Sequence, residues 1–427
     1  MRIVFLLHNA YGVGGTIRTI CNLAGALADE HEVEVASVFR SREVPAFTYD
    51  PRVRLRALAD LRAENPARLR DDPRAARPAG VFPRGDRKYA EYSALTDDLI
   101  GEYLADLDAD VVVGTRPGLN VHIARQAPRR VVRVAQEHLT LDTHSTRLTA
   151  SLRRRYPALD AVTTTTQADA AVYRRRMPGI RAAGIPNGVP SAGDAVSDGS
   201  APVVVAAGRL AEAKRYDDLI RAFATVAAAR PDWTLRLYGK GARRAALAAL
   251  IEELDLGGHV ELMGTVAPIE PELAKGSILA VTSSMESFGM TIVEGMRAGL
   301  PVVATDCPLG PREIVRDGVT GRLVPPRDVP AIAAALLGLI EDDERRREMG
   351  RAALAAASAY DPDAVAERHL RLFRELLDAR RRPAAGPRAA VRSTATLAAG
   401  AVLTVVDTAA AAGRAAARKA RARSAGR

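Results

Sequence analysis

The chain has 427 residues, of which 48% are hydrophobic and 26% charged, and its formal net charge at neutral pH is +10. This length allows two domains or more, and the two cysteines are too few for a disulfide framework or a zinc site. The excess charge lies in a basic tail that carries no nucleic-acid-binding motif, so we predict no nucleic-acid partner.

Strand and helix patterns alternate through the first half of the chain. The opening run Met1 to His8 is too short for a signal-peptide core and predicts the first buried strand instead. Alternating strands and helices form parallel sheets with both faces covered, so we predict a Rossmann-like domain over residues 1–190. Short β-branched runs predict strands at 2–7, 32–38, 111–114, 131–136 and 161–166, and residues 15–28 show helical spacing.

Two later segments break this pattern. Residues 50–89 are rich in arginine, proline, aspartate and alanine, which predicts a mobile loop or a partly helical insertion. Residues 191–200 form a linker, after which the alternation starts afresh and predicts a second Rossmann-like domain over 201–360. Its strands are expected at 202–207, 234–238, 259–263, 278–282 and 301–305, and helices at 331–340, 343–357 and 363–379.

Two carboxylates, Glu286 and Glu294, flank a glycine directly after the strand predicted at 278–282. Glu286 should lie in the loop and Glu294 in the next helix, with the helix N-terminus between them. Unpaired N–H groups at a helix N-terminus suit a diphosphate, and carboxylates accept hydrogen bonds from sugar hydroxyls. The pair indicates a nucleotide-sugar site; the alternative is two solvated surface glutamates.

Two cations, Arg209 and Lys214, follow the strand predicted at 202–207, which ends in Gly208. Each cation by itself is typical of a protein surface. Together with the helix end near Glu286, they would cradle one diphosphate between two adjacent strand ends.

Four segments resemble the signature blocks of retaining glycosyltransferases of family 4, the group 1 enzymes of GT-B fold. The blocks are AGRLAEAKRYDDLI, SSMESFGMTIVEGMRAGLPVVATD, GPREIVRDGVTGRLVPPRD and IPNGV, and the match spans most of residues 1–380. The resemblance implies two Rossmann-like domains whose parallel sheets face each other across a cleft. It also implies a helix over 361–380 that crosses back to the N-terminal domain. For residues 50–89, the functional alternative is a flap over the acceptor site.

The resemblance assigns roles to the motif residues. Arg209 and Lys214 would neutralise charge on the leaving nucleoside diphosphate, Glu286 would contact donor-sugar hydroxyls, and Glu294 would accept hydrogen bonds from the ribose. We expect Lys214 and Glu294 to face solvent, so that replacing either one spares the fold. Backbone N–H groups near the donor would come from Phe288, Gly289 and Met290.

In the N-terminal domain the resemblance places Gly14 and Gly15 near the donor phosphate, although a plain tight turn is the alternative. His138 would contact the reacting sugar, while an isolated histidine is otherwise structural. His8 and His144 are weaker candidates of the same kind.

A competing metal-binding pattern, Asp108-Ala-Asp110, lies before the strand predicted at 111–114. Carboxylates spaced in this way hold a divalent ion on the diphosphate in the other large glycosyltransferase fold. We expect a solvated connection here and no metal or other cofactor, because Arg209 and Lys214 take the place of the metal.

These features predict a retaining hexosyltransferase that moves a sugar from a nucleoside diphosphate donor, UDP or GDP, to an acceptor hydroxyl with α-linkage. Its product would be an envelope polysaccharide, a glycolipid or a small-molecule glycoside. A nucleotide-sugar epimerase of the same fold and a non-catalytic partner of another transferase are the alternatives. No stretch is long and apolar enough to span a bilayer, which predicts a cytoplasmic protein.

The tail over residues 381–427 is basic and alanine-rich. From Arg380 onward the chain has eleven basic residues and one acidic residue, Asp407. A disordered or partly helical tail without function is one interpretation. Peripheral attachment to the anionic inner face of a membrane is the other.

Overall fold

The computed structural model describes residues 1–381 apart from 63–71, 192 and 194. The chain forms two compact units. The first unit contains Met1–Pro186 and the described chain from Ala366 on, and the second contains Asn187–Val365. The tail over 382–427, with the membrane attachment predicted for it, lies outside the described residues.

The first unit is built on a parallel sheet of seven strands in the order β3-β2-β1-β4-β5-β6-β7. Because β1 pairs with both β2 and β4, the strand order reverses between β1 and β4. Ligands of open parallel sheets bind beyond the carboxyl ends of the strands at such a reversal. The strands are β1 (Arg2–Leu7), β2 (Glu32–Arg40), β3 (Arg54–Asp60), β4 (Val111–Gly114), β5 (Val132–Glu137), β6 (Ala161–Thr164) and β7 (Ala182–Gly184).

Helices cover the sheet of the first unit, and several start at side-chain caps that the sequence supplies. Ser93, Ser145 and Thr166 each accept a hydrogen bond from a backbone N–H of the first turn, which satisfies a donor that the helix itself leaves open. The described helices are Gly15–Leu27, Ala94–Ala105, Pro117–Gln126, Thr146–Arg155 and Gln167–Arg176, with 3-10 turns at Tyr89–Glu91, Leu141–Thr143 and Tyr156–Ala158.

The segment predicted as a mobile insertion contains a strand. β3 (Arg54–Asp60) pairs in parallel with β2 at the edge of the sheet, where charged side chains are tolerated because one side of the strand meets solvent. Further along, buried Asp97 accepts hydrogen bonds from the backbone N–H groups of Gly80 and Val81 at 2.6 and 2.7 Å. The expectation of a loop or helical insertion is therefore wrong for β3, and residues 80–82 are tied to the helix Ala94–Ala105.

The second unit repeats the plan with six parallel strands in the order β10-β9-β8-β11-β12-β13. Here the order reverses between β8 and β11, which are neighbours in the sheet. The strands are β8 (Val203–Ala207), β9 (Thr234–Tyr238), β10 (Val260–Gly264), β11 (Ile278–Val281), β12 (Val302–Thr305) and β13 (Gly321–Val324). The predicted α/β class with two Rossmann-like parallel sheets is confirmed.

Helices of the second unit pack their apolar faces on this sheet around a core that includes Phe223 and Trp233. The described helices are Tyr216–Ala229, Arg244–Glu253, Glu270–Leu273, Met290–Arg297, Pro311–Ile314, Val329–Ile340 and Asp343–Ala357, with 3-10 turns at Glu212–Lys214 and Ser358–Tyr360.

The last described helix, Pro362–Arg381, begins in the second unit, and from Ala366 on it belongs to the first. Its buried side chains include His369 and Phe373, and near its end Arg380 donates to the Asp160 carboxylate at 2.6 Å. The spacing of apolar residues over 363–379 predicts this helix.

Candidate active site

The motifs of the second unit that contain Arg209, Lys214 and Glu286 meet where its strand order reverses. The loop after β8 carries Arg209 and Lys214, and the loop after β11 carries Glu286. Thr282, at the end of β11, donates its hydroxyl to the carbonyl oxygens of Lys214 and Arg215 at 3.2 and 3.1 Å. The two loops are therefore joined at the position where parallel sheets bind ligands.

Lys214 and Glu286 form a direct ion pair. Lys214 Nζ donates to Glu286 Oε1 at 2.5 Å, and the Ser283 hydroxyl donates to the same oxygen at 2.6 Å. The side chains are 22% and 13% exposed. The backbone around Glu286 is fixed as well, because its N–H donates to the Pro308 carbonyl and its own carbonyl accepts from Leu309. Lys214 is thus partly enclosed and paired, which differs from the solvent-facing cation expected.

Arg209 differs from Lys214 in being exposed, and its guanidinium pairs with no other described residue. It follows Gly208, whose φ of +150° and close approach to Tyr216 require glycine: a Cβ there would lie 2.9 Å from the Tyr216 hydroxyl. Lys214 is paired with Glu286, so Arg209 is the one of these two cations that is left without a carboxylate partner among the described residues. It can attract an anion that approaches this loop.

The helix Met290–Arg297 starts just after Glu286 with Gly289 as its N-cap, in the left-handed region at φ 108°. The backbone N–H groups of Phe288 and Gly289 bond to no other described residue. Unpaired N–H groups at a helix N-terminus attract phosphate. The Phe288 side chain itself is buried and belongs to the core.

Glu294 lies in the second turn of the same helix and is only 7% exposed. The expectation that it faces solvent is wrong, because this side of the helix packs into the unit. Its neighbours Val293 and Met296 are fully buried. Replacing Glu294 will therefore affect stability as well as any ligand contact.

In the first unit, Gly14 is the N-cap of the helix Gly15–Leu27 and Gly15 is the first residue of that helix. They follow the carboxyl end of β1, next to the reversal between β1 and β4. His8 directly follows β1, and its ring contacts the Tyr92 hydroxyl at 2.9 Å and the Glu91 carboxylate at 3.0 Å. Burial is the main cause that lowers the pKa of His8 to about 4.

His138 directly follows β5 and lines a cavity of about 390 Å³ in the first unit. Its Nε2 is sealed from solvent and has no hydrogen-bond partner among the described residues. Burial lowers the pKa of His138 to about 4, against a smaller opposing effect of Glu137. The imidazole is therefore neutral at physiological pH and keeps one donor and one acceptor.

The sequence interpretation missed Glu137, the last residue of β5. Its side chain is fully buried, and it accepts hydrogen bonds from the Tyr156 hydroxyl and from Asn120 Nδ2, the latter at 2.8 Å. His144, named as a weaker candidate, lies 3.7 Å from it. A carboxylate that ends a buried strand directly before a histidine is the signal that the sequence offered.

Asp108 and Asp110 hold the amino end of β1 and lie away from the loops that follow the strands. Asp110 accepts from the Arg2 backbone N–H and Asp108 from the Arg2 guanidinium, both at 2.8 Å. In the described part of the chain no three histidine, cysteine or carboxylate side chains form a cluster that could hold a metal ion.

Comparison with known proteins finds a family match over part of the chain. Residues 193–355 match the family described as glycosyl transferases group 1. An exopolysaccharide phosphotransferase of Streptomyces coelicolor is 34% identical over 394 residues, which is 90% of this chain and 42% of that protein. The chain thus spans less than half the length of this relative.

Solved structures share the fold at low identity. TarM of S. aureus, in complex with Fondaparinux, alpha-GlcNAc-glycerol and UDP, has a TM-score of 0.70 at 15% identity over 87% of this chain and all of that one. HepE of Anabaena, in complex with UDP, has a TM-score of 0.68 at 20% identity over 88% of this chain and all of that one. None of the helices in the described ranges combines the length and apolarity needed to cross a bilayer.

Proposed function

We propose that the chain is a retaining, metal-independent glycosyltransferase of family 4 with a GT-B fold, since residues 193–355 match the group 1 glycosyl transferases and the chain is similar in fold to TarM and HepE. It moves a sugar from a nucleoside diphosphate donor to an acceptor hydroxyl and forms an α-linkage. UDP is the favoured carrier because TarM and HepE were both solved with UDP.

The observation that carries the proposal is the Lys214–Glu286 pair at the reversal between β8 and β11. Lys214 is in the same loop as Arg209, which has no partner among the described residues. Glu286 lies two residues before Phe288, and the backbone N–H groups of Phe288 and Gly289 bond to no other described residue. A nucleoside diphosphate sugar has the matching parts, an anionic diphosphate and a hydroxyl-rich ring.

Within this proposal the residues have separate tasks. Arg209 and Lys214 stabilise the negative charge that develops on the diphosphate as the bond to the sugar breaks, and preorganised charge of this kind commonly contributes more to catalysis than any other single effect. Glu286 accepts hydrogen bonds from sugar hydroxyls once Lys214 turns to the diphosphate. Glu294 accepts from the ribose.

The anomeric configuration is retained if the acceptor hydroxyl attacks the anomeric carbon from the face that the diphosphate leaves. A phosphate oxygen then takes the proton of that hydroxyl. This course needs no carboxylate nucleophile and no metal, and positioning then supplies much of the rate. Neutral His138 takes part as a hydrogen-bonding group toward the sugar, with Gly14 and Gly15 allowing close approach of the donor phosphate.

Phosphotransfer is the second candidate, because the Streptomyces relative is named an exopolysaccharide phosphotransferase. The two reactions differ in the product. Glycosyl transfer releases the intact nucleoside diphosphate, whereas phosphotransfer leaves phosphorus on the acceptor and releases a nucleoside monophosphate or another dephosphorylated carrier.

The test is a product assay with UDP-, GDP- and ADP-sugars. Purified protein is incubated with each donor and a panel of sugar and polyol acceptors, and the nucleotide released is identified by chromatography. Release of nucleoside diphosphate that depends on acceptor and is lost in Lys214→Ala supports the proposal. Formation of an epimerised donor would support an epimerase instead, and formation of a phosphorylated acceptor would support phosphotransfer.

We also propose that the protein is cytoplasmic and that its tail binds an anionic membrane surface, which would suit a lipid-linked or envelope acceptor. The support is the charge of the tail, eleven basic residues against one acidic residue from Arg380 on, each worth on the order of 1 kcal/mol near such a surface. A chain truncated after Ala379 should not sediment with anionic vesicles at low salt. Equal sedimentation of full-length and truncated protein would remove the membrane proposal.

A further inference from the structure

The cavity of about 390 Å³ in the first unit lies at the carboxyl ends of β4 and β5. This volume is within the range of small-ligand sites. Its lining combines hydroxyls, imidazoles and the Asp86–Arg116 ion pair with a small apolar wall formed by Leu139 and Leu148. The hydrogen-bonding side chains of the lining are Thr16, Asp86, Arg87, Thr115, Arg116, Glu137, His138, Thr143, His144 and Ser145.

Glu137 and Asp86 are the buried carboxylates of this cavity, and Asp86 is paired with Arg116 whereas Glu137 has no cationic partner of that kind in the described ranges. Its Oε1 accepts from the Tyr156 hydroxyl and from Asn120, whereas its Oε2 is sealed from solvent and has no hydrogen-bond partner among the described residues. Burial and Glu137 together raise the pKa of Tyr156 well above its ordinary value, so Tyr156 stays a donor. Oε1 thus accepts two hydrogen bonds, whereas Oε2 is buried without a donor, which is unfavourable.

His144 is a side chain close enough to supply a donor to this oxygen. Its Nε2 lies 3.7 Å from Glu137 Oε2 and is sealed, and this nitrogen also has no partner in the described part of the chain. Nδ1 is not sealed in this way, and His144 lines the cavity. An Nε2–H hydrogen bond to Glu137 would satisfy both sealed atoms and leave the Nδ1 lone pair free.

The backbone around His144 is fixed on both sides. It follows the 3-10 turn Leu141–Thr143, and its N–H donates to the Leu141 carbonyl at 3.2 Å. Ser145 caps the next helix and donates its hydroxyl to the Gly85 carbonyl at 3.1 Å. Asp169 accepts from the Leu141 N–H, and burial raises its pKa to about 6. The imidazole is therefore presented from a rigid segment.

We propose that His144, oriented by buried Glu137, accepts a hydrogen bond from a hydroxyl of the acceptor other than the one that attacks, and that this cavity binds an uncharged sugar or polyol. The inference rests on the proposed glycosyl transfer. A carboxylate on one ring nitrogen fixes the imidazole tautomer, so the other nitrogen meets the substrate as an acceptor. Glu137 acts through His144 and is a positioning residue.

The first test is the tautomer of His144 in the full chain at pH 8, by long-range ¹⁵N–¹H correlation. Wild type should show the Nε2–H form. In Glu137→Gln the amide oxygen can still accept from Tyr156 and Asn120, whereas the amide N–H group faces His144. His144 should therefore change to the Nδ1–H form. The Nδ1–H form in wild type, or no change in Glu137→Gln, would overturn the dyad.

The second test titrates glycerol, methyl α-D-glucopyranoside and methyl α-D-mannopyranoside while following the His144 Nδ1 signal. At least one probe should shift it in wild type and none in Glu137→Gln. His31→Gln is the matched control, since His31 directly precedes the amino end of β2, whereas the cavity lies at the carboxyl ends of β4 and β5, and it should not alter the response. Absence of any shift in wild type, or an equal shift in Glu137→Gln, would overturn the acceptor assignment.

The third test separates this inference from the proposed function. In His144→Gln, transfer to the best probe should fall at least tenfold through a higher acceptor KM, while hydrolysis of the donor by water stays within about twofold of wild type. An equal loss of both reactions would show a structural role. If wild type uses no nucleotide sugar at all, the proposed function fails, and the tautomer and titration results still decide the dyad.

Discussion

Lys214 donates its ammonium group to Glu286 Oε1 at 2.5 Å, which joins two sequence motifs that are 72 residues apart. Each motif follows a strand at the reversal of strand order in the second unit, so the contact forms only when β8 and β11 are neighbours. A partly enclosed cation that already has a carboxylate partner can move to a diphosphate while the carboxylate turns to a sugar hydroxyl. The pair thus links the fold to the proposed chemistry.

Removing the Lys214 ammonium should abolish most of the stabilisation of the leaving diphosphate. For Lys214→Ala we expect kcat to fall by about 10²- to 10³-fold, the size found when one preorganised donor to developing charge is lost. Lys275→Ala, which removes the exposed Lys275–Glu272 pair, is the control and should leave kcat unchanged. Near-normal turnover of Lys214→Ala at saturating donor would contradict the site.

Glu294 is buried, and its replacement should have two effects that can be measured separately. Glu294→Ala should lower the free energy of unfolding by about 2 kcal/mol, as expected for a truncated buried side chain with a partner, and should also weaken nucleotide binding. Glu253→Ala, at an exposed position in the helix Arg244–Glu253, should change stability by less than about 0.5 kcal/mol. Urea unfolding measures the change in stability, and calorimetric titration with UDP measures the change in nucleotide binding. Equal losses of stability in Glu294→Ala and Glu253→Ala would contradict the burial of Glu294.

The buried histidines should make the fold sensitive to acid. Burial, with a further effect of His138, lowers the pKa of His369 to about 3. Below pH 6.5 the unfolded chain therefore binds a proton that the folded chain does not bind, so the unfolding free energy falls as the pH falls toward 3. His138 contributes in the same direction, since its pKa is lowered to about 4.

His369→Leu isolates this effect. Between pH 7 and pH 5 the wild type should lose about 2 kcal/mol of unfolding free energy through His369. The variant lacks this histidine, so its unfolding free energy should fall by about 2 kcal/mol less over the same interval. Urea unfolding at both pH values measures the difference. The same loss in both proteins would show that His369 is protonated as readily in the folded chain as in the unfolded chain.

Transfer should continue after exhaustive treatment with EDTA, because Arg209 and Lys214 supply the positive charge that a metal would otherwise provide. The double variant Asp108→Asn, Asp110→Asn should keep full activity, since both carboxylates bind Arg2 at the amino end of β1. Complete loss of activity that Mg²⁺ or Mn²⁺ restores would contradict the metal-independent mechanism.

Much of the fold was predictable because the buried strands are apolar on both faces. The bounds of β1, β4 and β9 were predicted without error, and the other predicted strands shifted by one or two residues at their ends. β3 was missed because an edge strand tolerates the arginines of Arg54–Asp60, which remove the apolar signal. The contact of Lys214 with Glu286 needs the strand order, which one sequence does not display.

The anomeric form of the product tests the central claim most directly. An α-configured UDP- or GDP-sugar is incubated with the acceptor identified in the product assay, and ¹H NMR follows the anomeric signal from the first turnover while the released nucleotide is quantified. We predict an α-linked product formed together with one equivalent of nucleoside diphosphate. A β-linked first product, or an acceptor that gains phosphorus, would contradict retaining glycosyl transfer.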